Sequence, residues 1–136
     1  MALPNGAGGY QIGDGNLNEI TFGVTPAPAT ATVTATLTVP QVTSGILLGS
    51  PGTSAASYTL PTVASLEATV SSAKVGSTFD LSVVNVDGSS SGVITLVAGT
   101  GWTLVGLMTV AAAAGTAQLF RARKTGDGAW SLYRVA

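Results

Sequence analysis

Three features predict a mainly β chain, an antiparallel sandwich or barrel with one short helix. From residue 74 to 136, strand-length runs rich in Val, Ile, Thr and aromatics alternate with clusters of Gly, Asp and Ser. Residues 30–39 alternate strictly, with Thr30, Thr32, Thr34, Thr36 and Thr38 on one side and Ala31, Val33, Ala35, Leu37 and Val39 on the other. That two-residue period belongs to a half-buried strand. Only residues 63–72 place large apolar residues at helical spacing.

Taken in order, residues 1–29 are rich in Gly, Asn and Pro, and their large apolar residues, Tyr10, Ile12, Leu17, Ile20 and Phe22, keep no sustained period. Such a stretch cannot easily bury itself. It reads either as a disordered tail or as an extended arm, whose spaced apolar residues suit docking on another surface as a strand. The expected organisation is an arm over residues 1–29 and a single β domain over residues 30–136.

Pro40 is expected to end the first strand, because proline cannot donate to a ladder. A short strand over residues 45–48 and a Gly-Ser-Pro-Gly turn follow. Thr62 is positioned to cap the helix, with Val63, Leu66 and Val70 inward and Glu67 and Ser71 outward. A helix of this length is expected to plug one end of the core. Residues 74–76 close it and lead into a strand over residues 79–86, with Phe79, Leu81 and Val83 on one face. Further strands are expected over residues 93–97, 102–105, 107–110, 117–124 and 130–135.

The last two form a hairpin around Gly126 and Asp127. A turn centred there pairs Lys124 with Ala129 and places Arg123 opposite Trp130. Phe120, Ala122, Ser131, Tyr133 and Val135 then share the core face, while Leu119, Arg121, Arg123, Trp130 and Leu132 share the other. On that second face Arg123 would lie on the Trp130 ring. Arg121, Arg123 and Trp130 are therefore either a solvated face or a candidate interface on an outer strand.

Charged residues make up 8% of the chain, against about a quarter in ordinary soluble domains. Either much of the surface is covered in an assembly, or it is a Thr, Ser and Gly surface with many alanines. The net charge of −1 leaves no electrostatic footprint for nucleic acid. The one basic concentration, Arg121, Arg123 and Lys124, reads as a strand edge protected by charge. No window reaches membrane-spanning length, so no membrane partner is expected. The first nine residues lack the pattern of a signal peptide, and synthesis in the cytoplasm is expected.

The chain has no histidine and no cysteine, which excludes Ser-His-Asp triads, Cys-His pairs and His or Cys metal sites. Residues 88–92 fit G-x-S-x-G, but Ser90 falls between two strands and has no histidine base. The six carboxylates, Asp14, Glu19, Glu67, Asp80, Asp87 and Asp127, have no spacing that suggests a glycosidase pair. Around Asp14 the alternating oxygen ligands of a calcium loop are missing. Residues 99–101 are a turn, and Trp102 is a core residue before it is a sugar platform. No enzyme activity, catalytic residue, cofactor or metal is expected.

Five stretches carry a resemblance. They are Tyr58-Thr59-Leu60-Pro61-Thr62, Ala73-Lys74-Val75-Gly76-Ser77-Thr78-Phe79, Gly99-Thr100-Gly101-Trp102, Phe120-Arg121-Ala122-Arg123-Lys124-Thr125-Gly126 and Leu132-Tyr133-Arg134. Together they resemble tailed-phage structural proteins, most specifically the small capsid decoration, or cement, proteins of environmental and cyanobacterial phages. The likeness spans a little over half of the chain. It implies a jelly-roll-like or barrel protomer, a homotrimer on the outer capsid surface of the virion, and the major capsid protein as partner. An arm carrying Tyr10, Ile12, Leu17, Ile20 and Phe22 would contact the capsid, although it lies outside the matched stretches. Similar β modules occur in phage fibres and tails, so a receptor- or glycan-binding module using Trp102 or Trp130 is the alternative.

Overall fold

The computed structural model describes residues 22–136. Tyr10, Ile12, Leu17 and Ile20 lie outside the described residues. Among the described residues, ten strands and two helices follow in the order β1 (Ala29–Ala31), β2 (Ala35–Thr36), α1 (Val39–Thr43), β3 (Ile46–Gly49), β4 (Ala56–Thr59), α2 (Val63–Thr69), β5 (Thr78–Asn85), β6 (Ile94–Val97), β7 (Trp102–Val105), β8 (Thr109–Val110), β9 (Thr116–Gly126) and β10 (Ala129–Arg134). The chain is mainly β. Two sheets result, one of six strands in the order β1-β3-β5-β9-β10-β7 and one of four in the order β2-β4-β6-β8.

The sheets are mixed, which corrects the antiparallel expectation. β1, β3 and β5 run parallel to one another, as do β2, β4 and β6, and β7 runs parallel to β10. Only β5–β9, β9–β10 and β6–β8 are antiparallel. The reason lies in the winding: the first six strands alternate between the two sheets, so successive strands of one sheet enter from the same end. Parallel neighbours need a crossover. Here the crossover is the opposite sheet together with α1 or α2.

The alternating stretch of residues 30–39 is broken by this winding. β1 pairs with β3 in one sheet, residues 32–34 cross over, and β2 pairs with β4 in the other. Pro40 does not terminate a strand but sits in the first turn of α1, where its missing N–H costs nothing. Thr38 caps that helix in a reciprocal box: the Gln41 N–H donates to Thr38 Oγ1 at 3.4 Å and the Thr38 N–H to Gln41 Oε1 at 2.8 Å.

Thr62 caps α2 as expected, and the Ser65 N–H donates to its hydroxyl at 3.2 Å. α2 sits at one end of the core. Its Val63 N–H donates to the Thr100 carbonyl at 2.9 Å, and the Gly128 N–H donates to Glu67, so both the turn before β7 and the β9–β10 turn meet it. Glu67 is thus not simply outward.

Between the sheets lie Leu47, Tyr58, Leu81, Val83, Ile94, Phe120, Trp130 and Leu132, all almost completely buried, as is Leu66 of α2. At the end opposite α2, Asn85 ties two loops together, the one between β5 and β6 and the one between β8 and β9. Its Nδ2 donates to the carbonyls of Gly92 (2.8 Å) and Ala111 (3.0 Å), and its Oδ1 accepts from the Gly88 N–H at 2.7 Å. Both polar atoms of the Asn85 side chain are thus partnered, which is the condition for burying an amide at all.

Candidate contact face

β9 and β10 do not pair as the turn sequence suggests. Ala129 is opposite Gly126, a bulge follows, and from there Trp130 is opposite Lys124, Ser131 opposite Arg123 and Tyr133 opposite Arg121. One residue of offset moves a whole strand to the other face. Trp130 therefore lies inward and is 1% exposed, while Arg123 stays outside. The expected Arg123–Trp130 contact is corrected, as is the place of Tyr133 with the core; Ser131 lies on the Arg123 side of the strand yet stays buried, at 7% exposure.

Trp130 instead packs between Phe79 and Trp102, with ring centroids at 5.6 and 6.1 Å. Its Nε1–H donates to Glu67 at 3.3 Å. Lys124 also turns inward. Its ammonium donates to the Glu67 carboxylate at 3.2 Å and to the Ala73 carbonyl at 3.2 Å. The hydrogen bond from Lys124 holds the Glu67 carboxyl below its ordinary pKa, with the Trp130 and Gly128 N–H groups adding to the effect. Trp102 is buried as well, its Nε1–H bonded to the Pro61 carbonyl at 2.8 Å. Neither indole presents a ring for stacking on sugar.

β9 is not an edge strand, since β5 and β10 flank it. Arg121 and Arg123 nevertheless share one face with each other, the outward face of the six-stranded sheet. The ladder lines up one row across four strands: Val105, Tyr133, Arg121 and Asp80. The next rows bring Leu119 beside Ser82 and Ile46, then Ala117 beside Val84 and Leu48. All of these side chains are half-buried or exposed, Val105 by 46% and Ile46 by 40%.

Two charges organise this apolar field. Arg121 Nε and Nη2 donate to Asp80 Oδ1 and Oδ2 at 2.7 and 3.2 Å, a two-pronged pair. That pair lowers the Asp80 carboxyl below its usual value and raises Arg121 above its own. Arg123 lies one residue pair further along, over Gly76, with no acceptor among the described residues. A sheet face of aliphatic side chains, one tyrosine and two guanidinium groups, one of them held by a carboxylate, has the make-up of a protein-binding surface.

Ser90 offers no nucleophile elbow. It sits at φ 51° in the loop that carries the chain from β5 in one sheet to β6 in the other, so the loop is a crossover and not the expected hairpin. Phe22 is 83% exposed and Val24 98%.

Leu119 was legible beside the two arginines, whereas Tyr133, Val105, Leu48 and Val84 escaped sequence reasoning as members of this face. The signal was the size of Trp130 and Leu132, which belong on the buried side of β10 and leave Tyr133 on the opposite side. Comparison with family models, with characterised proteins and with solved structures finds no match.

Proposed function

We propose that this protein is a structural component of a tailed-phage particle, a capsid decoration protein that assembles as a homotrimer on the outside of the head and strengthens contacts between major capsid subunits. The observation that carries the reading is the outward face of the six-stranded sheet, apolar along Ile46, Leu48, Val84, Leu119 and Val105, in a chain with 8% charged residues. A surface so poor in charge is stable in solution when a partner covers it. The five stretches that resemble cement proteins supply the kind of partner.

The work of such a protein is binding alone. Many modest contacts across subunit boundaries add up through multivalency, and no turnover is required. Of the jelly-roll order that the resemblance implies, only the coarse form enters this proposal, two sheets around one core. The fibre or tail alternative loses its glycan platform with both tryptophans buried. It keeps only a protein-binding role.

The test is addition of the purified protein to expanded heads that lack it, followed by sedimentation. Saturable co-sedimentation with heads, and none with isolated tails, is the expected result. Binding confined to tails would move the protein to the alternative.

A further inference from the structure

The charges of the chain are segregated. Asp14 and Glu19 are the only charged side chains among residues 1–29, a net of −2, while residues 30–136 hold every lysine and arginine and net +1. On the folded part, the outward sheet face presents Arg121 and Arg123, of which Arg123 has no acceptor among the described residues. The N-terminal stretch that carries the two acids also carries Tyr10, Ile12, Leu17 and Ile20. The sequence thus joins an apolar, acidic segment to a domain whose outward sheet face is apolar and carries the one arginine, Arg123, without an acceptor among the described residues.

Length and point of entry agree. Eleven residues from Tyr10 to Ile20 extend to about 35 Å at about 3.3 Å per residue, and six strands at about 4.8 Å spacing make a face about 24 Å wide. The described chain joins the fold through β1, an edge strand of this same sheet. Just before β1, Phe22 and Val24 are 83% and 98% exposed and touch little of their own domain.

We propose that the Tyr10–Ile20 segment of one copy lies across the outward face of the six-stranded sheet of a second copy, with its carboxylates against Arg123. An arm that meets a face without reciprocal exchange makes a head-to-tail contact, and such contacts form a ring where the rotation between copies closes. This inference rests on the decoration reading for its trimer and names a second copy, in place of the capsid, as the arm's partner.

The experiment compares the native mass of four proteins at micromolar concentration: the full chain, a chain lacking residues 1–21, Arg123→Glu, and Arg123→Glu combined with Asp14→Lys and Glu19→Lys. Thermal melts check that each folds. The full chain is expected as a trimer, the truncated chain as a folded monomer, and Arg123→Glu with self-association weakened about tenfold or more, as for a lost close charge pair. The charge swap should restore assembly. A truncated chain that remains a trimer but no longer sediments with heads would overturn the inference and leave the decoration reading standing. A full-length monomer would overturn the inference too. Absence of head binding by a full-length trimer would instead remove the decoration reading and leave the arm contact intact.

Discussion

Trp130 and Lys124 stand opposite each other in the β9–β10 ladder and meet at a shared acceptor, the Glu67 carboxylate of α2. That relationship ties the last hairpin to the helix at the end of the core. It also determines that Arg121 and Arg123 face outward, and so it defines the candidate contact surface.

Truncation at the centre of this arrangement should be severe. Trp130 is 1% exposed and packs against Phe79 and Trp102. Trp130→Ala is expected to cost about 3–5 kcal/mol, the range for removing a large buried aromatic. Denaturant unfolding measures it. A loss under about 1 kcal/mol would place Trp130 outside the core.

The two carboxylates with lowered pKa values give stability a pH dependence of known sign. Glu67 is held down first by the hydrogen bond from Lys124, and Asp80 first by the hydrogen bond from Arg121. A carboxyl that titrates lower in the folded state stabilises the fold above its unfolded pKa, about 4, and ceases to do so as pH falls through the folded value. Melting temperature should therefore drop on acidification below about pH 5. Glu67→Gln should melt lower at neutral pH and show a shallower acid limb. An unchanged limb would contradict the role given to Glu67.

Asn85 is the corresponding test at the opposite end. Asn85→Ala leaves the Gly88 N–H and the carbonyls of Gly92 and Ala111 without this partner in a buried site. A loss of about 1–3 kcal/mol is expected for buried groups left unsatisfied. Limited proteolysis should then cut first between β5 and β6.

At Gly101 the backbone has φ +94°, and an added Cβ would lie 2.7 Å from the Val63 Cβ and 2.8 Å from the Gly128 carbonyl oxygen. Gly101→Ala forces α2 away from both turns. It should destabilise by more than the roughly 1–2 kcal/mol of the left-handed backbone alone. A thermal melt matching the parent would show that α2 is not seated on this turn.

Much of the fold was legible from local pattern. β7 begins and ends where its run of apolar residues does, α2 starts at its threonine cap, and Leu81 and Val83 face the core in step with their alternation. What pattern could not give was which strands pair. Alternation along residues 30–39 is the same whether a chain stays in one sheet or crosses to another, so the split into β1 and β2 left no mark on it. The Thr38 and Gln41 box was present in the sequence and was masked by the same alternation. In the contact face, the two arginines were legible, whereas Trp130 was assigned to the wrong side because a bulge beside Ala129 is invisible to a symmetric turn.

The most direct test of the central proposal is the number of copies of this chain in purified phage particles, measured by quantitative mass spectrometry against the major capsid protein. A decoration protein is predicted to be present at hundreds of copies, in fixed ratio to the capsid subunits, and to be lost when tails are kept and heads removed. A count of a few to tens, following the tails, would contradict it.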